Sequence, residues 1–129
     1  MEVLTVRTTA RAAFVSITDH VQDAVAKSGV KEGICLIYVP HTTAAVTLNE
    51  NADPTVVRDV QKELDKMVPF EDGYEHSEGN SAAHVKSTVV GVSCLVPIEG
   101  GRLALGTWQG VYFCEFDGPR TRKVWVTCK

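Results

Sequence analysis

The last third of the chain most constrains its fold, because it consists of short strand-like runs separated by turns. Beyond Gly91 these runs are SCLVPI, RLALG, VYFCEF and RKVWVTC, and the residues between them include GG, WQG and DGP. β-branched and aromatic residues favour strands, whereas glycine, proline and aspartate favour the turns that connect them. This pattern predicts a sheet that is largely antiparallel or mixed.

Two helices interrupt the strands in the first half of the chain. Apolar residues recur at helical spacing within residues 17–29, and Thr18 or Asp19 can cap the start of this helix. Residues 54–67 predict the clearest helix, with an apolar stripe along one side. Asp53 is suited to cap this second helix, because its carboxylate can accept a hydrogen bond from a free N–H group of the first turn.

Further strands and a short third helix complete the pattern. Residues 3–8 and 12–17 predict a hairpin, and the continuous apolar run at 33–40 predicts a strand covered on both faces. The third helix is expected at 81–90 with Asn80 as its cap. Its predicted core face consists of Ala82, Val85 and Val89. Strands on both sides of two main helices indicate an α+β fold in one compact domain, residues 1–129.

Composition indicates an ordinary soluble domain and argues against two classes of partner. The formal net charge is −3 and the 13 Lys and Arg residues are scattered, so the chain lacks the basic patch that binds nucleic acid. No run approaches the ~20 apolar residues of a membrane span, and the N-terminus shows no signal-peptide pattern. The four cysteines lie far apart without a CxxC pair, which predicts reduced thiols in a cytoplasmic protein.

Three of the four histidines stand in polar settings that suit metal binding. His76 precedes the third helix in the stretch YEHSEGNSAAH, and His84 falls on the side of that helix away from its predicted core face. His41 follows the predicted strand at 33–40, where functional side chains are common. Three histidines with an open fourth position are typical of a catalytic metal site. Taken singly, each also has a structural interpretation, such as a hydrogen bond at a turn.

Charged residues near these histidines suggest further roles. Glu50, Glu78 or Glu115 can orient a metal ligand or act as a general base. Arg120 carries a permanent positive charge whose geometry suits phosphate or carboxylate, and the start of the third helix at 79–81 offers free N–H groups. These features indicate an anionic or phosphorylated small ligand. The same residues also suit ordinary turn formation.

Five motifs of the chain resemble those of one known family. In chain order they are PHTTAAV, NENADP, YEHSEGNSAAHVKS, GRLALGTWQG and CEFDGPR. Together they resemble the YjbQ family, also described as secondary thiamine-phosphate synthases. The resemblance extends from about Val3 to Cys128. It implies a compact α+β fold that assembles as a homotrimer, with a site near the subunit boundaries.

The resemblance also implies which residues form the site. It implies that the metal ligands are His41, His76 and His84. Zinc is the first expected ion, and magnesium, manganese and nickel are alternatives. The family motifs place around them Glu50, Asp53, Glu78, Asn80, Lys86, Trp108, Gln109, Glu115 and Arg120. The catalytic residues expected among these are Glu78 and Glu115. The expected substrate-binding residues are Asn80, Lys86, Gln109 and Arg120. Many relatives carry an acid where this chain has Ala82, so a carboxylate there is not expected to be essential.

Three functions are compatible with these residues. The first is a metal-dependent enzyme acting on a small phosphorylated metabolite. For this enzyme the resemblance names thiamine-phosphate synthesis, as a main or a secondary activity. That reaction joins a pyrimidine pyrophosphate to a thiazole phosphate and releases pyrophosphate. The second is metal-assisted hydrolysis of a phosphate ester or amide by the same residues. The third is a non-catalytic, trimeric protein that binds a metal or a metabolite.

Overall fold

The computed structural model describes all 129 residues and consists of eight strands and three helices. In chain order the elements are β1 (Glu2–Arg7), β2 (Ala13–Ser16), α1 (Thr18–Ser28), β3 (Gly33–Tyr38), β4 (Ala44–Glu50), α2 (Pro54–Met67), α3 (Ser81–Val90), β5 (Ser93–Glu99), β6 (Arg102–Leu103), β7 (Gln109–Glu115) and β8 (Thr121–Cys128). The α+β fold class is confirmed, and so are the bounds of α2 and α3. No helix of the chain is both long and apolar enough to cross a membrane.

The strands form two sheets in which every pairing is antiparallel. The larger sheet has the order β1-β8-β3-β5-β6, and the smaller has the order β2-β7-β4. The predicted hairpin is therefore wrong, since β1 and β2 lie in different sheets. The segment between them runs beside the β7–β8 connection, where Thr8 N donates to Arg120 O at 3.0 Å and Gly118 N donates to Arg11 O at 2.9 Å. The β1–β2 and β7–β8 connections thus run next to each other as they pass between the two sheets.

The hydrophobic core has a large and a small part. Sixteen buried residues from both sheets and α1 form the main part. The smaller part lies where α2 and α3 cover the other face of the three-stranded sheet, and consists of Ala45, Leu64, Ala83, Cys114 and Phe116. As a result β7 is buried on both faces, whereas one face of the five-stranded sheet has no element of the chain over it.

The prediction that the strand at 33–40 is covered on both faces is wrong for the single chain. Cys35 and Ile37 are fully buried, but the residues between them, Ile34, Leu36 and Tyr38, are 53%, 37% and 38% exposed. The run lacks alternation because its outward residues are also apolar. They belong to a contiguous apolar surface on four neighbouring strands, named here the outer sheet face: Val3, Ile34, Leu36, Tyr38, Leu95 and Trp125.

The helix caps match the predictions at α2 but not at the other two helices. Asp53 Oδ1 accepts a hydrogen bond from Thr55 N at 2.9 Å, which confirms it as the cap of α2. Helix α1 has no side-chain cap, because Thr18 Oγ1 instead accepts from Val111 N at 2.9 Å and joins the helix to β7. A side chain at the start of a helix can therefore form a tertiary hydrogen bond and leave the helix without a side-chain cap.

Helix α3 is rotated relative to the expectation. Its buried residues are Ala82, Ala83, Lys86 and Ser87, whereas Val85 and Val89 are exposed. The predicted core face was thus correct only at Ala82. The rotation follows from the small side chains on the buried side, which let α3 lie close to β4. Ser87 Oγ fixes this position by donating to Ala44 O at 2.7 Å.

Candidate functional site

An open cleft of about 430 Å³ lies between the β3–β4 loop, α3 and the connection to β5. The residues lining it are His41, Thr42, His84, Ser87, Thr88, Gly91 and Val92. Two of the three predicted metal ligands, His41 and His84, therefore line one cleft although they are far apart in sequence. Most of its lining residues are of polar types, and Val92 is the only hydrophobic one.

His76 lies against His84 in the loop that leads into α3. The two ring centroids are 5.4 Å apart and the rings are nearly perpendicular, at 83°. Two imidazoles bound to one tetrahedral zinc ion have ring centres about 5 Å apart, given zinc–nitrogen bonds of about 2 Å. Glu78 lies next to this pair, with its Oε2 4.0 Å from His76 Nε2. The spacing of His76 and His84 thus suits a shared ion.

His41 has a structural contact that bears on metal binding. Its Nε2 accepts a hydrogen bond from Lys123 N at 3.0 Å, at the point where β3 ends and β8 loses its neighbour on that side. An accepting Nε2 requires a neutral ring with its proton on Nδ1. Burial lowers the pKa of His41 below its ordinary value, and the nearby charge of Arg122 lowers it further, against an opposing effect of Glu115.

This pKa direction predicts how His41 makes stability depend on pH. The unfolded chain takes up the proton at about 6.5, before the folded protein does, so the stability contributed by neutral His41 is complete above that pH. It is lost as the pH falls through the folded pKa. We expect an NMR titration of His41 with a midpoint below 6.5, and a smaller loss of stability between pH 7 and pH 5 in His41→Gln. A His41 midpoint at or above 6.5 would contradict this assignment.

Glu115 is a fully buried carboxylate in a dense network. It forms an ion pair with Arg122, accepts from Thr8 Oγ1 at 2.8 Å, and accepts from the backbone N–H groups of Phe116 and Asp117 at 3.1 and 3.0 Å. Burial alone would raise the pKa of Glu115, but the hydrogen bonds from Arg122, Asp117 and Thr8 outweigh it and hold the pKa below its ordinary value. Glu115 does not line the histidine cleft, and these contacts give it a structural role.

Arg122, which is not among the site residues predicted from the sequence, links this network to the histidine cleft. Its Nη2 donates to Thr43 Oγ1 at 2.9 Å and to Thr43 O at 3.3 Å, which holds the loop that carries His41. A signal was available: Arg122 is in phase with Val124 and Val126 in β8, and all three are buried. An arginine on the inward side of a strand requires a buried anionic partner, which here is Glu115.

Asn80 and Arg120, two of the predicted substrate-binding residues, meet at Asp117. Asn80 Nδ2 donates to Asp117 Oδ2 at 2.7 Å, and Arg120 Nη2 donates to the same oxygen at 3.2 Å. The Asn80 Oδ1 atom is buried and has no hydrogen-bond partner. The Arg120 side chain is half exposed, so part of its guanidinium is free to bind an anion. The group lies one helical turn before His84.

The structure does not bring Lys86 and Gln109 to the cleft. Lys86 is buried on the opposite side of α3 from His84, where it pairs with Asp65. It lines a separate cavity of about 270 Å³ beside the ring of Phe70. Gln109 lies at the other end of β7 from Glu115, about 20 Å away at the usual rise per residue. Its Oε1 accepts from Gly106 N at 2.8 Å in a turn.

The donors present satisfy only part of what a metal ion requires. His76 and His84 have a suitable spacing, but no group of three or more His, Cys, Asp or Glu side chains in the chain is arranged to hold an ion. The hydrogen bond that His41 accepts from Lys123 competes with metal binding by this ring. Metal binding through either of its nitrogens would leave Nε2 without a lone pair for Lys123 N. His41 can therefore join the other two only by giving up that hydrogen bond.

The fold and the cleft define a small α+β domain with a histidine-lined surface site. Residues 2–129 match the family model described as UPF0047 protein YjbQ-like, and the chain belongs to this family. The resemblance drawn from the five motifs is thereby confirmed over almost the whole chain.

Relatives and solved structures extend this similarity. The UPF0047 protein YugU of Bacillus subtilis (strain 168) is 50% identical over 127 residues, covering 98% of this chain and 96% of the relative. A UPF0047 protein of Methanocaldococcus jannaschii is 49% identical over 121 residues, covering 94% and 88%. A crystal structure of a YjbQ/UPF0047-family protein from Clostridium acetobutylicum matches with a TM-score of 0.98 and 49% identity, covering 100% of both chains. The names of these proteins state a family and no reaction.

Proposed function

We propose that this chain is a metal-dependent enzyme that acts on a small phosphorylated metabolite at the histidine cleft. By family resemblance, the reaction is a transfer of the thiamine-phosphate synthase type, as a main or a secondary activity. The observation that carries the proposal is the convergence of His41 and His84 on one cleft, with His76 packed edge-on against His84. Imidazole is the commonest ligand for zinc, so zinc is the first candidate, ahead of magnesium, manganese and nickel.

The residues around the cleft support binding of an anion next to the metal ligands. Arg120 is half exposed, and it shares Asp117 with Asn80 one turn before His84. A guanidinium suits the planar array of phosphate oxygens. When bound, a divalent ion would supply positive charge to a phosphate group and would polarise it. The chain's own residues would hold the substrate through Arg120 and would keep Asn80 in place through Asp117.

Of the two carboxylates expected to act in catalysis, Glu78 has the better position. It is exposed and lies beside His76, where it can orient the ring or accept a proton. Glu115 would act indirectly, because its pairing with Arg122 holds the loop of His41. Gln109 would contribute to this site only from another copy of the chain, since it does not reach the cleft within one chain. Lys86 is buried in its own chain against Asp65, so its expected role in substrate binding is not part of this proposal.

The metal content of the purified protein tests this proposal. Protein prepared without added metal or chelator is expected to hold near-stoichiometric metal per subunit in the wild type, and little in His84→Ala. His20→Ala is the matched control, because His20 is an exposed helix histidine outside the cleft. We expect this control to keep its metal. Full metal retention by a folded His84→Ala variant would count decisively against a metal site at this cleft.

Two further measurements separate the parts of the proposal. Metal binding at His41 is expected to remove the acceptor of Lys123 N, so hydrogen exchange at that amide should accelerate when zinc is added. Unchanged exchange with bound zinc would restrict the ligands to His76 and His84.

Product analysis with a pyrimidine pyrophosphate and a thiazole phosphate then distinguishes joined product from released phosphate. Joined product supports the transferase, and phosphate release supports the hydrolase.

The outer sheet face supports the homotrimer that the resemblance implies. Monomeric proteins rarely expose contiguous apolar surface of this kind, and here it spans four neighbouring strands. Tyr38 and Trp125 stack on it with ring centroids 5.7 Å apart. We propose that a second and a third copy of this chain cover this face. The trimer would be located in the cytoplasm, as expected from the sequence. A non-catalytic trimer would share this face, so assembly alone does not establish an enzyme.

A further inference from the structure

We propose that Cys35 and Cys128 form a reversible oxidation site, at which a peroxide converts the two thiols into an intramolecular disulfide. This site goes beyond the proposed function and is independent of it. Cys35 lies near the start of β3 and Cys128 at the end of β8, whereas His41 and Lys123 meet at the opposite ends of the same strands.

The strand register places the two cysteines directly opposite each other. Cys35 pairs with Cys128 in the antiparallel β3–β8 ladder. The neighbouring residues Ile34 and Lys129 exchange both backbone hydrogen bonds, at 2.7 and 3.0 Å. Hydrogen-bonded and non-hydrogen-bonded pairs alternate along such a ladder, so Cys35 and Cys128 form a non-hydrogen-bonded pair. The Cα atoms of such pairs lie about 4.5 Å apart, at the lower end of the range that a disulfide requires.

The side chains of the two cysteines point to the same face of the sheet. Cys35 is fully buried, and Cys128 is partly buried against the same core, in phase with Val124 and Val126. Burial, and after it the neighbouring Cys128 thiol, raises the pKa of Cys35 to about 12. Cys35 therefore remains a protonated thiol at neutral pH, which makes Cys128 the thiol that reacts first.

Access for a small oxidant comes from a second surface cleft. This cleft, of about 410 Å³, lies between the end of α1 and the ends of β1 and β8, and Cys128 forms part of its wall. Cys35 does not line it. Cys128 is thus within reach of a peroxide, and Cys35 lies buried in the core directly across the ladder. This is the arrangement that an attacking and a resolving cysteine require.

The two steps balance in atoms and electrons. The Cys128 thiolate attacks one oxygen of hydrogen peroxide, the O–O bond breaks, and Cys128 becomes a sulfenic acid while hydroxide leaves and takes up the thiol proton. The Cys35 sulfur then attacks the Cys128 sulfur, the S–O bond breaks, and the departing oxygen leaves as water with the Cys35 proton. Two thiols are oxidised by two electrons in total, and one peroxide is reduced to two water molecules.

The other two cysteines serve as an internal comparison. Cys94 lies in β5 and Cys114 in β7, so they belong to different sheets and are not ladder partners. Each thiol is directed at a backbone carbonyl, Cys94 at Val46 O and Cys114 at Tyr112 O. Burial raises the pKa of both thiols. The pair is therefore expected to stay reduced under conditions that oxidise Cys128.

The experiment treats the reduced full chain with a small excess of hydrogen peroxide, followed by alkylation and peptide mapping. We expect an intact mass lower by two hydrogen atoms and a single linked peptide pair joining Cys35 to Cys128, reversed by dithiothreitol. Cys94→Ser should form the same link. Cys128→Ser, a change at a partly exposed position, should form none and should keep Cys35 as a free thiol.

Three results would overturn the proposal. One is a wild-type protein in which Cys128 proceeds to sulfinic acid while Cys35 stays free. Another is a disulfide that includes Cys94 or Cys114. The third is a protein whose four thiols all survive a peroxide excess that oxidises free cysteine in the same solution. Metal content plays no part in any of these readouts, so they stand apart from the test of the histidine cleft.

Discussion

Replacing Arg122 with methionine is expected to lower the free energy of unfolding by about 3–5 kcal/mol, because the change leaves the carboxylate of Glu115 buried without its partner. Glu115 is 0% exposed and Arg122 is 2% exposed, so water cannot take the place of the guanidinium. A loss of this size is a large part of the stability of a typical small domain. Urea unfolding at pH 7 provides the measurement.

Two companion variants identify the cause of that loss. Arg120→Met removes a neighbouring arginine whose pair with Asp117 is half exposed, and we expect it to change stability by about 1 kcal/mol or less. Glu115→Gln combined with Arg122→Met removes both charges and should recover much of the loss. If the double variant were as unstable as Arg122→Met alone, a stranded charge would not be the explanation.

The ionisation of Glu115 should also make the stability of the two proteins depend on pH, in opposite directions for the wild type and for Arg122→Met. In the wild type the pKa of Glu115 lies below its ordinary value of 4.5, so its contribution to stability is present above that pH and is lost as the pH falls through the folded pKa. In Arg122→Met the carboxylate is stranded and its pKa rises. Lowering the pH from 7 toward 5 should therefore narrow the stability difference between the variant and the wild type.

Local signals were enough to predict the helices α2 and α3. The start of α2 depends on Asp53 and Pro54, which are adjacent in sequence, and the end of α3 depends on Gly91, whose φ of 98° most side chains avoid. The pairing of strands depends on partners far along the chain. Strand β1, residues 2–7, pairs with β8, more than a hundred residues away, and no feature of the first two strands indicates this.

The candidate site was predictable in its chemistry and not in its geometry. Polar sequence settings and the family resemblance selected His41, His76 and His84, and the fold places His41 and His84 on one cleft with His76 against His84. The hydrogen bond from Lys123 to His41 was not predictable, because it depends on where β3 leaves the sheet beside β8. The burial of Glu115 was likewise hidden, since an acidic residue in a strand is usually exposed.

The exposed apolar sheet face leads to the second large effect. Leu95→Asp is expected to convert a homotrimer into separate chains, because it would place a charge within the outer sheet face, directly opposite Leu36. Leu95 is 64% exposed within one chain, so the fold itself should tolerate the change. Light scattering after size-exclusion chromatography should show the mass fall from three subunits to one.

Val89→Asp provides the matched control for this variant. Val89 is 57% exposed on α3, away from the outer sheet face, so it has similar exposure without the proposed contact. We expect Val89→Asp to remain trimeric. A trimeric Leu95→Asp protein, or a monomeric wild type, would show that this face does not hold copies of the chain together.

The metal content of monomeric Leu95→Asp then decides how the assembly and the histidine cleft are related. His41 and His84 line one cleft within a single chain, and His76 lies against His84, so a metal bound by these histidines alone should persist in the monomer. Gln109, at the far end of β7, can approach the cleft only from a neighbouring copy. Metal retained with activity lost would therefore indicate that a second subunit completes the substrate site. Metal and activity lost together would indicate that the assembly holds His41 in the orientation that frees its ring from Lys123.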